Sequence, residues 1–131
     1  MATMTEQVAL DQIGQIAIRA KDIGRAVQFY RETLGMRFLF EVPNLAFFDC
    51  GGVRLMLSTA EAPDFDHPAS VLYYKVSDIN GSFDSLKKRG VAFIDKPHLI
   101  AKLEHHDLWM AFFRDSEDNT LALMSEVARS E

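Results

Sequence analysis

Apolar residues recur along the chain with two periods, and the switches between them divide it into short elements. Residues 13–20 form a brief β-branched run that reads as a strand. Asp22 then offers a cap to a helix whose apolar positions Ile23, Ala26, Val27, Tyr30 and Leu34 fall at helical spacing, and Gly35 supplies a left-handed stop. Residues 36–42, 45–50 and 53–58 read as three strands joined by tight turns at Pro43 and Asn44 and at Gly51 and Gly52. Residues 59–69, rich in Pro, Asp and Ala and without a period, read as a linker. The order then restarts. A strand at 70–76 leads to a helix capped by Asp78, with Ile79, Phe83 and Leu86 inward and a stop at Gly90. A strand at 91–95, a longer loop at 96–106, a strand at 107–114, a tight turn at 115–119 and a last strand at 120–126 complete the chain.

Landmarks recur in the same order in both halves. Asp22 and Ile23 return as Asp78 and Ile79, Ala46-Phe47-Phe48 returns as Ala111-Phe112-Phe113, and Leu55-Met56-Leu57 as Leu121-Ala122-Leu123, at offsets of about 55 to 66. The chain therefore reads as two tandem β-α-β-β-β modules, 12–58 and 70–127, with polar tails at 1–11 and 128–131. Units this small are marginal alone, so a single domain over 12–127 is expected, with sheets joined and helices outside.

Composition narrows the functional classes. Fourteen Lys and Arg against nineteen Asp and Glu give a net charge of −5, without the basic footprint that nucleic acid or an anionic membrane requires. The longest unbroken apolar run, 108–113, has six residues, far below the ~20 of a spanning helix. With no apparent targeting segment, a soluble, cytoplasmic protein is expected. The single cysteine, Cys50, excludes an internal disulfide and a Cys-based zinc site, and reads as a small residue beside a turn.

The Asp-Ile…Phe-Tyr-x-x-x-Leu-Gly helix (Asp22, Ile23, Phe29, Tyr30, Leu34, Gly35), the paired modules and the Asp-x-x-x-Asn turn (Asp115, Asn119) resemble the vicinal oxygen chelate superfamily. That group includes glyoxalase I, bleomycin-resistance proteins, fosfomycin-resistance enzymes and extradiol dioxygenases. Ser116 and Asp118 replace the Pro and Gly that the family's turn usually carries, and Asp tolerates the left-handed conformation. The resemblance implies an α+β fold in which a mixed sheet curls into a U-shaped cleft with helices outside, and a homodimer.

In metal-using members one divalent ion is held by His or Gln in the first strand of each module and Glu in the last. The resemblance places Gln15, Met56, Val71 and Ala122 at those positions, and three of the four cannot ligate a hard cation. No metal or other cofactor is therefore expected, with one divalent ion as the alternative. The cleft wall follows from hairpin parity. A two-residue turn at Gly51 and Gly52 pairs Cys50 with Val53, hence Phe47 with Met56 and Asp49 with Arg54. A turn at Pro43 and Asn44 pairs Phe40 with Phe47 and Phe38 with Asp49. In the second module Tyr73 and Lys75 follow the face of Val71, Met124 and Glu126 that of Ala122, and Phe112 matches Phe47. The candidate ligand-binding residues are thus Gln15, Phe38, Phe40, Phe47, Arg54, Met56, Tyr73, Lys75, Phe112 and Met124. Such a lining suits a flat or hydrophobic small molecule oriented by a few polar tips. Asp49 and Arg54 also read simply as a cross-strand ion pair. The opposite parity, with Leu55, Leu57, Trp109, Phe113, Leu121 and Leu123, backs the helices.

Two functional classes follow. The first is a metal-independent binder of a hydrophobic or aromatic small molecule, similar to the bleomycin-resistance branch. The second is a metal-dependent lyase, isomerase or dioxygenase with a rewired ligand set drawn from Gln15, His98, Glu104, His105, His106 and Glu126. Adjacent His105 and His106 would point to opposite faces of a strand, so they read first as a solvated loop. His67, in the linker, reads as solvent-exposed. No catalytic residue is assigned.

Overall fold

The computed structural model describes residues 8–59 and 70–129. It contains nine strands and two helices among those residues, one strand more than two β-α-β-β-β modules supply. The first module comprises β1 (Gln15–Arg19), α1 (Ile23–Gln28), β2 (Arg37–Val42), β3 (Leu45–Cys50) and β4 (Val53–Ser58). The second comprises β5 (Leu72–Lys75), α2 (Ile79–Lys88), β6 (Ala92–Phe93), β7 (His98–Lys102), β8 (His106–Arg114) and β9 (Thr120–Ala128). Most of the linker, residues 60–69 with His67, and the chain ends lie outside the described residues.

Each module builds its own mixed sheet, so the strands form two sheets and not one continuous one. Their orders are β1-β4-β3-β2 and β5-β9-β8-β6, with β7 also paired to β8. In both, the first strand runs parallel to the last while the hairpins are antiparallel. The Asp22 and Asp78 side chains cap the helices, accepting from the Arg25 and Gly81 amides. α1 runs on into a π-helical turn, Phe29–Thr33, in which the Leu34 amide reaches back to the Phe29 carbonyl.

The core is shared by both modules. Ile18, Tyr30, Phe48, Leu55 and Leu57 of the first and Phe113, Leu121 and Leu123 of the second are buried in one cluster, with Trp109 packed against it. The parity assigned to the helix-facing side therefore holds. Polar contacts seal the seam between the modules. The Tyr30 hydroxyl donates to Asp115 Oδ2 at 2.6 Å, and Asn119 Nδ2 donates to the Arg19 carbonyl at 2.8 Å.

Glu117, whose side chain is 0% exposed, accepts from the Lys21 and Asp22 amides and from Arg25, at 2.7 to 3.1 Å. Burial alone would raise its pKa. Hydrogen bonds from Arg25, the Asp22 amide, Ser116 and the Lys21 amide outweigh burial and bring the carboxyl down to about 2.

Two local expectations fail. The segment read as a loop at 96–106 contains β7, which supplies the second module with an extra edge strand on β8. The β2–β3 register also slips. Phe40 faces Phe47 as expected, but a bulge between Phe38 and Phe40 puts Phe38 opposite Phe48, not Asp49.

Candidate functional site: the helix-free faces

Alternation along the strands sends one set of side chains toward the helices and leaves the other on the helix-free face of each sheet. On the first sheet the turn at Gly51 and Gly52, with φ of 60° and 94°, sets the β3–β4 register by taking the left-handed conformation a two-residue hairpin requires. Phe47 then sits opposite Met56, and Asp49 opposite Arg54, while the parallel pairing of β1 brings Gln15 beside Arg54.

These residues make a connected group. Arg54 Nε donates to Gln15 Oε1 at 2.8 Å, and its guanidinium carbon lies 5.5 Å from the centre of the Phe47 ring. Phe47 stacks on Phe40 with centroids 4.5 Å apart, and Gln15 Nε2 reaches the Met56 sulfur at 3.6 Å. Arg54 thus turns to Gln15. Asp49 instead accepts from the Gly52 amide, so the expected cross-strand ion pair is absent between these two residues. Phe38 does not join the group. Bulged onto the other face, it packs edge-on against Phe48 at 5.4 Å with Arg31 over its ring.

The helix-free face of the second sheet carries the rest. Tyr73 meets Phe112 edge-on at 6.0 Å, and Lys75 lies 3.9 Å from Glu126. Phe112 and Tyr73 both face Ala122, while Met110 and Lys75 both face Met124. No hydrogen bond, ion pair or ring contact among the described residues joins this group to the one on the first sheet, so the predicted lining falls into two sets. Met110, at the centre of the second set, was missed although it shares the parity of Phe112. His98 was missed as a strand residue. It faces Met110 across β7 and β8, and the apolar run Leu99-Ile100-Ala101 after Pro97 was the available signal.

The histidines are dispersed. His98 Nδ1 is 2.8 Å from the Lys96 carbonyl and 3.9 Å from Asp95. His105 is exposed beside Glu104, and His106 pairs with Ala128 at the far end of β8, roughly 20 Å along the strand from Phe112. No three His, Cys, Asp or Glu residues among those described converge closely enough to hold a metal ion.

The family's metal position can be tested on the register itself. Ala17 pairs with Met56 as Tyr73 pairs with Ala122, which makes Gln15 and Val71 equivalent, two residues earlier. Of these four side chains only that of Gln15 offers an oxygen, and that oxygen already accepts from a guanidinium. Gln15, Met56, Val71 and Ala122 do not fit a divalent ion.

Comparison with known proteins agrees with this architecture. The chain is 26% identical over 123 residues to the uncharacterized protein YraH of Bacillus subtilis (strain 168), covering 83% of this chain and 94% of that protein. A lactoylglutathione lyase from Agrobacterium tumefaciens superposes with a TM-score of 0.69 at 19% identity, over 87% of this chain and 92% of that one. TnmS3, an antibiotic-binding protein from Streptomyces sp. CB03234, superposes with a TM-score of 0.73 at 23% identity, over 92% and 99%. At such identities the structural matches establish a shared fold. No helix among the described residues is long and apolar enough to cross a membrane. Residues 12–123 match the family model of the Glyoxalase/Bleomycin resistance protein/Dioxygenase superfamily, and the chain belongs to that family.

Proposed function

We propose that this protein binds a hydrophobic or aromatic small molecule on its helix-free faces without a metal at the family's usual position. The carrying observation is the group formed by Gln15, Arg54, Phe47 and Phe40, in which a guanidinium hydrogen-bonded to Gln15 lies over a stacked aromatic pair, beside two of the positions the resemblance assigns to metal ligands, Gln15 and Met56. Such a surface gains affinity from aromatic area and takes direction from Arg54, so a flat ligand with an acceptor oxygen suits it best. Tyr73, Phe112, Met110 and Met124 would supply the second wall, and the antibiotic-binding TnmS3 gives a precedent within the fold. A cytoplasmic homodimer is part of the same reading; light scattering on the purified protein checks its assembly.

The test is elemental analysis of untagged protein loaded with Zn, Ni, Mn or Fe(II) and dialysed, followed by a thermal-shift screen of aromatic compounds with and without chelator. We expect metal far below one ion per subunit, together with stabilising ligands indifferent to chelator and weakened by Arg54→Ala. An ion near stoichiometric that resists dialysis would overturn this reading. It would favour the metal-dependent enzyme, with Gln15, His98, Glu104, His105, His106 and Glu126 as the ligands to replace.

A further inference from the structure

A cavity of about 730 Å³ opens on the opposite, helix-facing side of the molecule, where α2 approaches the chain that follows the π-helical turn. α2 packs Ile79 and Phe83 onto the second sheet and turns a neighbouring face, Gly81, Ser82 and Ser85, toward the cavity. These small side chains leave the space open. Leu34 and Met36 of the first module form the facing wall, and Phe113 and Leu123 the floor. The volume falls within the range of small-molecule sites, and the apolar floor below a polar mouth matches their usual chemistry.

Two polar side chains lining this cavity keep hydrogen-bonding capacity that the fold does not use. The first is the Tyr74 hydroxyl, which is buried with no hydrogen-bond partner. Register makes the anomaly plain: Tyr74 pairs with Leu123 as Ile18 pairs with Leu57, so the second module carries a phenol where the first carries a fully buried aliphatic chain. A buried hydroxyl without a partner is costly, and a packing role alone would be served by Ile or Phe.

The second is Arg89, at the cavity mouth. Its Nη1 donates to the Thr33 carbonyl at 2.9 Å, bridging the modules, while its other N–H groups have no partner among the described residues. The one carboxylate on the lining, Asp78, is occupied in capping α2 and lies eleven residues back along it, about 16 Å from Arg89.

We propose that this inter-module cavity is a second binding site, separate from the helix-free faces, for an aromatic acid that also carries a hydroxyl or carbonyl oxygen. Its ring lies on Phe113, Leu123 and Met36, its carboxylate meets Arg89 at the mouth, and its second oxygen pairs with the Tyr74 hydroxyl.

Calorimetric titration with phloretate, hydrocinnamate and para-ethylphenol tests this assignment, because the last two probes each lack one of the two oxygens. Phloretate is expected to bind tightest. Arg89→Gln, a change on an exposed side chain, should weaken both acids about tenfold and leave para-ethylphenol unchanged. Tyr74→Phe, which keeps the ring, should weaken phloretate by about five- to tenfold and leave hydrocinnamate unchanged. The proposal is overturned if no probe binds at millimolar concentration, if binding ignores both Arg89→Gln and Tyr74→Phe, or if Arg54→Ala abolishes it and so transfers the acid to the helix-free face. Because neither cavity variant touches the helix-free faces, failure here leaves the metal and ligand tests of the first site independent.

Discussion

The two modules pair their strands alike but use their last hairpins differently. Phe47 faces Met56 as Phe112 faces Ala122, and Phe48 faces Leu55 as Phe113 faces Leu121. Yet the first module turns between β3 and β4 on two glycines, with Asp49 bonded only to the nearby Gly52 amide, whereas the second turns on residues 115–119 and sends three of them across the seam. The two modules are equivalent folding units, and only one of their last turns carries a polar clamp. Its hub is Asp115, whose Oδ1 accepts from the Glu117 and Asn119 amides and thereby aims both side chains at the other module.

The largest effect should come from removing that clamp. Glu117→Ala leaves the Lys21 and Asp22 amides and the Arg25 side chain without their shared acceptor, and should cost about 3 kcal/mol in urea unfolding. Asp49→Ala, which removes an exposed acceptor at the matching turn, should cost under about 1 kcal/mol. Equal losses would break the comparison by showing that the seam needs no special turn.

Acid sharpens the same contrast. The Glu117 carboxyl titrates near 2 when folded against an ordinary 4.5, so the folded state binds its proton more weakly than the unfolded chain. Its contribution, about 3 kcal/mol at roughly 1.4 per pKa unit, is fully present above pH 4.5 or so and is lost as pH falls toward about 2. Stability measured across that window should fall steeply in the parent chain and more gently in Glu117→Gln. Identical acid limbs would mean that another group governs the transition.

A smaller effect separates the two modules' shares of the core. Tyr74 occupies the place of Ile18 and buries an unpaired hydroxyl, so Tyr74→Phe should stabilise the ligand-free protein by up to about 1 kcal/mol. Burial, followed by nearby Cys50 and Asp115, drives the Tyr74 phenol well above its ordinary pKa, so it is protonated at neutral pH. Destabilisation by Tyr74→Phe, read from the shift in the urea midpoint, would show that the hydroxyl is satisfied in solution.

How much of this was legible depended on whether local geometry fixed the outcome. The glycine turn dictates its own register, so the grouping of Phe47, Met56 and Arg54 on one face could be read from the spacing of three residues. The bulge beside Phe38 could not, because one extra residue in β2 reverses the face of what precedes it and leaves no compositional mark. β7 was hidden for a related reason: its five residues carry no alternation, and its place in the sheet comes from tertiary pairing with β8. Glu117 was the least visible of all. An acidic residue in a polar turn reads as solvated, and only the arrival of the first module's helix start, 95 residues away in sequence, makes it a buried acceptor. The direction in which Arg54 would turn was likewise set by a strand 39 residues distant.

The smallest predicted effect returns to the paired turns. Asp118 holds φ of 68°, the left-handed region that Gly51 occupies at 60° in the first module, but it does so with a Cβ. Its carboxylate gains little in exchange: it lies exposed, 3.8 Å from Arg114, where water screens the pair. Asp118→Gly should relieve the backbone cost, while the greater freedom of glycine in the unfolded chain takes back part of the gain. The net change should be a stabilisation of under about 0.5 kcal/mol, visible as a small rise in Tm. The reciprocal change, Gly51→Ala, adds a Cβ with open space around it and should lose about 1 kcal/mol through φ alone. If Asp118→Gly instead destabilises the protein, the aspartate must do more than tolerate its conformation, and the two turns would differ in local chemistry as well as in what they reach across the seam.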